Sequence, residues 1–254
     1  MEPQRYQQLL EGLKRLKLRH VRQTLEERNE AAIARQLSYL EYLALLVDDE
    51  VAARQATQVQ KRLQAARFPS GMTLEEFDFT VQTSVNRQAI LDLARLQFVE
   101  RHENVVLVGP PGVGKTHLAV ALGRKAVDRG YRVLFLTVDR LVNDLYASLA
   151  DGTLKSRLKS YQSQDLLILD ELGYLPMDAT ASNHLFQVIS GAYEHRSVIV
   201  TSNVPFQEWG HVFATPTLAA AGLDRLLHHA HVFSLRGESY RLRWDTDPAL
   251  SQAT

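Results

Sequence analysis

Val105-Val106-Leu107-Val108-Gly109-Pro110-Pro111-Gly112-Val113-Gly114-Lys115-Thr116-His117 reads as a strand, a glycine-rich turn and the opening of a helix. Four consecutive apolar residues bounded by Gly and Pro make a short buried strand. The eight residues from Gly109 to Thr116 fit G-x-x-x-x-G-K-[ST]. That bare pattern arises by chance in on the order of one chain in a hundred, so the strand before it and the helix after it carry much of the weight. Glycines let successive N–H groups turn inward onto phosphate oxygens, and the helix start adds fractional positive charge. Lys115 is expected to reach the β- and γ-phosphates and Thr116 to ligate Mg²⁺. Nucleotide contact is therefore expected at Gly109, Pro110, Pro111, Gly112, Val113, Gly114, Lys115, Thr116 and His117, with packing the competing role for His117. ATP and Mg²⁺ are the implied cofactors.

Outward from this loop the chain alternates strand and helix. Apolar runs recur at Arg132 to Thr137, Asp165 to Asp170, Val198 to Thr201 and His231 to Leu235. Between them lie helical spacings such as Leu141, Leu145 and Leu149. Such alternation predicts an α/β fold, a parallel five-stranded sheet with helices on both faces. Ligands of these sheets bind beyond the carboxyl ends of the strands. Leu166-Leu167-Ile168-Leu169-Asp170-Glu171 brings two acids to such an end, where burial without a cation is costly. Asp170 is expected to hold the Mg²⁺ shell, and Glu171 to orient and deprotonate the attacking water. Val200-Thr201-Ser202-Asn203 forms another strand end. The Asn203 amide both donates and accepts, which suits a water or γ-oxygen, although a loop turn is its commoner use.

The first 67 residues are different. They hold no Pro after Pro3 and one glycine, Gly12. Leu9, Leu13, Leu16, Val21, Leu25, Leu40, Leu43, Val47 and Val51 recur at helical spacing. Two or three helices are predicted, the last from about residue 38 to 66, with a break at Phe68-Pro69-Ser70-Gly71. The expected organisation is a helical DNA-binding and assembly domain over 1–67, an ATPase domain over 68–245 and a tail over 246–254. Between Gly12 and Gln23 stand Lys14, Arg15, Lys17, Arg19, Arg22 and His20 with no acid. This run suits DNA phosphates or a solvated helix face. Lys155, Arg157 and Lys159, with Arg140 upstream, pose the same choice.

Composition narrows the remaining classes. The 254 residues carry 29 Lys+Arg and 29 Asp+Glu, so affinity for nucleic acid must come from local patches rather than net charge. Cysteine is absent, which excludes disulfides, thiolate metal sites and cysteine catalysis. The charged N-terminus has no signal-peptide core, and no apolar stretch approaches the roughly 18 residues of a spanning helix. A cytoplasmic protein with no membrane contact is expected. His228, His229 and His231 cluster near the C-terminus without the i, i+4 spacing of zinc helices.

These motifs together resemble an AAA+ ATPase, and further blocks resemble the IstB-type transposition helper ATPases. The blocks are Lys61 to Phe79, Gly114 to Ala119, Asp-Glu-Leu-Gly-Tyr-Leu-Pro at 170–176, Asp-Arg-Leu-Leu-His-His at 224–229 and Gly-Glu-Ser-Tyr-Arg at 237–241. The likeness spans about residues 5–245. It implies a helper that assembles on duplex DNA, largely independent of sequence, and serves a cognate transposase in choosing and engaging its target. It further implies Arg225 as an arginine finger in a neighbour's site and Arg241 as a sensor arginine. Subunits would join head to tail in a ring or helix. In initiator-like relatives the region of Arg140, Lys155, Arg157 and Lys159 faces a central channel. Two departures stand out: Ala192 precedes Tyr193-Glu194 where many members have Arg, and Ala214-Thr215 stands where Gly-Asp is common. Only 19 residues follow Leu235, so the AAA+ lid is expected to be missing or rudimentary. A DnaC-like replicative helicase loader is the alternative on the same motor. A small-molecule phosphotransferase would need an acceptor pocket and an Arg-rich lid, which the sequence does not display.

Overall fold

A computed structural model describes residues 2–69, 71–174 and 176–240, and the chain separates into two compact units, Met1–Lys61 and Arg62–Thr254. In the first, α1 (Pro3–Arg15) and α2 (Arg19–Ala34) are followed by α3 (Tyr39–Ala66), which runs on past the boundary. Pro3 opens α1, where a missing N–H is harmless. A reciprocal box opens α3: Ser38 N–H donates to Glu41 Oε2 at 2.7 Å and Glu41 N–H to Ser38 Oγ at 3.3 Å.

Glu50 of α3 organises this unit. It is buried and accepts the His20 and Val21 N–H groups at the start of α2, at 2.8 and 3.0 Å. Arg54 bonds Glu50 Oε1 at 2.8 Å, and its Nη2 donates to the Lys17 carbonyl at 2.7 Å. Burial by itself raises the Glu50 carboxyl, but Arg54 and the two N–H groups outweigh it and hold it below the ordinary carboxylate value. A depressed acid stabilises the fold above its unfolded pKa, and that contribution is lost as pH falls through the lower folded value. Glu50→Gln is expected to destabilise this unit by about 2 kcal/mol at neutral pH, measured by urea unfolding. An unchanged midpoint would show that the α1–α2 turn does not depend on this carboxylate.

In the second unit, α4 (Arg87–Leu93) and α5 (Gln97–Glu100) precede β1 (Asn104–Val108) and α6 (Lys115–Asp128). There follow β2 (Val133–Thr137), α7 (Val138–Ala150), α8 (Leu154–Gln162), β3 (Leu166–Leu172), α9 (Ala179–Ala192), β4 (Ser197–Ser202), α10 (Trp209–Val212), α11 (Pro216–Leu227) and β5 (Ala230–Ser234). The strands form one parallel sheet in the order β2-β3-β4-β1-β5. Val106, Val108, Leu134, Leu136, Leu167, Leu169, Val198 and Val200 share a core with Leu141 and Leu145 of α7, Leu185, Val188 and Ile189 of α9, and Leu226 of α11. The alternate residues Val105, Leu107, Phe135, Leu166, Ile168 and Ile199 are also buried, and α6 packs across β1 to β4. Both faces of β1 to β4 are thus covered, which is why those strands read as continuous apolar runs, whereas the edge strand β5 is largely exposed.

Three expectations change in detail. Leu149 continues the spacing of Leu141 and Leu145 but is 51% exposed, because α7 ends one residue later at Ala150. Lys155, Arg157 and Lys159 lie on the helix α8, so Lys155 and Lys159 share a face and Arg157 points elsewhere. Strand β3 continues through both acids to Leu172, with a shift of register between Leu169 and Leu172.

Candidate nucleotide site

The loop after β1 bends through positive φ at Gly112 (80°) and Gly114 (95°). A side chain at Gly112 would stand 2.0 Å from Ser239 Oγ, and one at Gly114 would stand 2.6 Å from the Phe77 ring. Both positions therefore need glycine on conformational and steric grounds. Helix α6 begins directly after Gly114 with no side-chain cap, leaving its first N–H groups directed into the loop. Lys115 Nζ lies over that loop, donating to the Gly109 and Pro110 carbonyls at 2.7 Å each.

The shift of register in β3 separates its two acids. Asp170 is buried while Glu171 is exposed, with Glu171 at φ 63°. A non-glycine residue in that region holds about 1–3 kcal/mol of strain, and such strain collects at functional sites. Thr201 secures the arrangement: its hydroxyl accepts the Glu171 N–H at 3.0 Å and donates to Asp170 Oδ1. Thr116 Oγ1 donates to the Asp170 carboxylate at 2.9 and 3.1 Å. A hydroxyl from α6 and a buried carboxylate from β3 thus meet at one point, a hard-oxygen donor pair suited to Mg²⁺. Asn203 follows β4 and keeps a buried Oδ1 with no hydrogen-bond partner among the described residues. A buried acceptor of this kind is costly unless a donor completes it.

The segment before α4 closes one side. Phe77 packs edge-on against Phe79 and His117, at centroid distances of 4.7 and 5.3 Å. Gln82 Nε2 donates to the Val113 carbonyl at 3.0 Å. His117 Nε2 lies 2.7 Å from the Thr73 carbonyl, so its ring joins this wall. On the other side the chain returns after β5, and Tyr240 N–H donates to the Gly112 carbonyl at 2.9 Å. Sequence reasoning did not single out Gln82, Thr201 or Ser239. Thr201 had a legible signal, a hydroxyl on a strand end two residues before Asn203.

With this geometry in place, the comparisons with known proteins are informative. A family model described as IstB-like ATP binding protein matches residues 11–247. The chain belongs to the IstB-like family. The ATP-binding protein of insertion sequence IS21 from Pseudomonas aeruginosa is 46% identical over 231 residues, covering 91% of this chain and 87% of that protein. The counterpart in IS5376 of Geobacillus stearothermophilus is 44% identical, covering 84% and 85%. Among solved structures, the DnaC helicase loader aligns with a TM-score of 0.56 at 22% identity, covering 65% of this chain and 96% of that one. The replication initiator DnaA bound to AMPPCP and single-stranded DNA gives 0.56 at 22%, covering 71% and 56%. These likenesses establish the AAA+ P-loop fold. By family this chain is an IstB-like ATP-binding protein.

The remaining residues lie elsewhere in the IstB-like fold. Arg225 occupies the last turn of α11, stacked over Phe186 and Tyr193 at 5.0 and 5.9 Å, with Nη1 donating to the Ala221 carbonyl at 3.0 Å. Its own carbonyl and that of Leu226 accept from the Asn104 side chain at 3.4 and 3.1 Å. Arg241 falls outside the described residues. Lys14, Arg15, Lys17, Arg19 and Arg22 are all exposed and straddle the α1–α2 turn rather than one helix. Arg140, Lys155, Arg157 and Lys159 are exposed on α7 and α8. No helix among the described residues is long and apolar enough to cross a membrane.

Proposed function

We propose that this protein hydrolyses ATP while assembled head to tail on duplex DNA, and that it serves its insertion sequence's transposase in choosing and engaging a target. The proposed division of labour is a helical DNA-binding and assembly domain over 1–67 and an ATPase domain over 68–245. In this reading the loop N–H groups and Lys115 hold the phosphates, and Thr116 and Asp170 hold Mg²⁺. The metal supplies charge neutralisation at the β- and γ-oxygens when bound. Glu171 takes the proton of the attacking water, its exposed carboxylate being set apart from the metal pair by the irregular β3. Asn203 orients that water or a γ-oxygen through the amide whose Oδ1 lacks a partner among the described residues.

The observation that carries the assembly is the placement of Arg225. Asn104 ties the end of α11 to the first residue of β1, whereas the phosphate loop leaves the last, Val108. Five strand residues separate those ends by about 13 Å, farther than an arginine side chain extends. Arg225 is therefore suited to a neighbour's γ-phosphate, and repetition of that contact gives a ring or helix. Sizing the protein with ATP and duplex DNA, separately and together, tests the reading. Growth beyond a dimer only when nucleotide is present supports it, and a monomer under every condition contradicts it.

DNA contact is assigned to Lys14, Arg15, Lys17, Arg19 and Arg22, with Arg140, Lys155, Arg157 and Lys159 as the channel group. Phosphate contacts carry no sequence information, so binding should be general and steeply salt-dependent. Replacing Lys14, Arg15, Lys17 and Arg19 with Ala is expected to weaken binding on all sequences. The slope of log K against log salt should fall by about 3.6 for four lost contacts. An unchanged slope would make the run a solvated surface.

A further inference from the structure

Two turns at the strand-start edge of the sheet bring together a carboxylate and two imidazoles. After α9 the chain turns at Tyr193-Glu194, with the His195 and Arg196 N–H groups both donating to the Ala192 carbonyl at 3.0 and 2.8 Å. Glu194 sits there at φ 58°. After α11, His228 N–H donates to the Asp224 carbonyl at 2.9 Å, and the His229 carbonyl accepts the Asn104 N–H at 2.7 Å. Both backbones are thus fixed while the side chains stay exposed. One carboxylate oxygen of Glu194 and one nitrogen each of His228 and His229 lie within 4.8 Å of one another.

We propose that Glu194, His228 and His229 form a zinc site. Zinc takes imidazole nitrogen and carboxylate oxygen at about 2.0–2.2 Å, so modest rotation of exposed side chains closes the cluster around one ion. The adjacent hydrogen bond fits the same purpose. Tyr193 OH lies 2.8 Å from His228 Nδ1. With the proton on Nδ1 the phenol accepts it, leaving Nε2 with its lone pair for the metal, the outer partner that ligating histidines commonly have. Three protein ligands leave a fourth position for water. Adjacent histidines without helical spacing give no zinc motif in the sequence, and the third ligand comes from 34 residues upstream of His228.

The site differs from the Mg²⁺ position in chemistry and place. Thr116 and Asp170 offer only hard oxygens near the carboxyl ends of the strands, whereas this cluster offers two nitrogens beside the start of β1. Zinc here would staple the α9–β4 turn to the α11–β5 turn, on the edge where Tyr193 carries the Arg225 guanidinium.

The test is a titration of tag-free, full-length protein with Zn²⁺ against a chromophoric chelator, without nucleotide. Wild type and Asp170→Asn are expected to retain one equivalent each, undisturbed by excess Mg²⁺, and to gain thermal stability from zinc. His228→Ala with His229→Ala should lose that equivalent and the gain in melting temperature. Glu194→Gln should weaken binding, and Tyr193→Phe should weaken it about tenfold. The exposed positions of these side chains keep the variants comparable, which melting in the presence of chelator verifies. Equal zinc retention by the double variant, loss of the equivalent in Asp170→Asn, or no retained equivalent in wild type would each overturn the proposal.

Discussion

Glu171→Gln is expected to bind ATP as the wild type does and to hydrolyse it at least about a hundredfold more slowly, the lower end of what a positioned general base contributes. That factor corresponds to about 2.7 kcal/mol of barrier. The substitution is nearly isosteric and leaves the Thr116–Asp170 pair intact. Its backbone N–H still donates to Thr201, so the irregular conformation of β3 persists. Only the ability to take a proton is lost. Lys115→Ala should behave differently, losing ATP binding because it removes the buried cation proposed to hold the phosphates. Nucleotide binding by fluorescence and phosphate release under saturating ATP separate the two. Equal loss of binding in both variants would show that Glu171 supports the site's structure instead of acting on water.

How far the sequence could be read depends on whether a feature is local. The strand, glycine-rich turn and helix at 105–117 were legible because the glycines, lysine and threonine that mark them are close together in the chain. Strands β1 to β4 were legible because burial on both faces turns each into a nearly continuous apolar run, whereas β5, largely exposed at the sheet edge, showed only a short mixed run. The irregularity at Asp170-Glu171 was hidden: it depends on the Thr201 hydroxyl of another strand, and no pattern within 166–172 announces it. Gln82 was missed as a wall of the site for the same reason, since it meets the loop only in three dimensions. In the N-terminal unit, helical spacing located α1 to α3 but gave no measure of coverage. Leu40, Leu43, Val47 and Val51 keep the period, yet each is about half exposed or more. Charge was harder still. The run from Lys14 to Arg22 looked like one helix face, whereas a turn at Leu16 to Leu18, pinned by Glu50 and Arg54, divides it between two helices.

Arg225→Ala is expected to retain substantial ATP binding per subunit while losing hydrolysis by about a thousandfold or more, the range for a finger supplied in trans. ATP-dependent oligomers should be lost with it, because a nucleotide at the joint favours assembly only if both sides of the joint hold it. The guanidinium rests on Phe186 and Tyr193 of its own subunit. Leaving two half-buried ring contacts costs about 1–2 kcal/mol, comparable to what a charge-assisted bond to phosphate returns, so those contacts store the residue without trapping it. A mixture gives the sharper test. When Arg225→Ala and Glu171→Gln subunits co-assemble, some joints pair the intact Glu171 of one with the intact Arg225 of the next. Those joints alone carry a complete site, so the mixture should regain part of the hydrolysis that neither variant has. A finger acting within its own subunit cannot produce this recovery, because every subunit then lacks one of the two groups. Proven co-assembly with no regained turnover would therefore rule out action in trans and, with it, the head-to-tail joint as the place where ATP is hydrolysed.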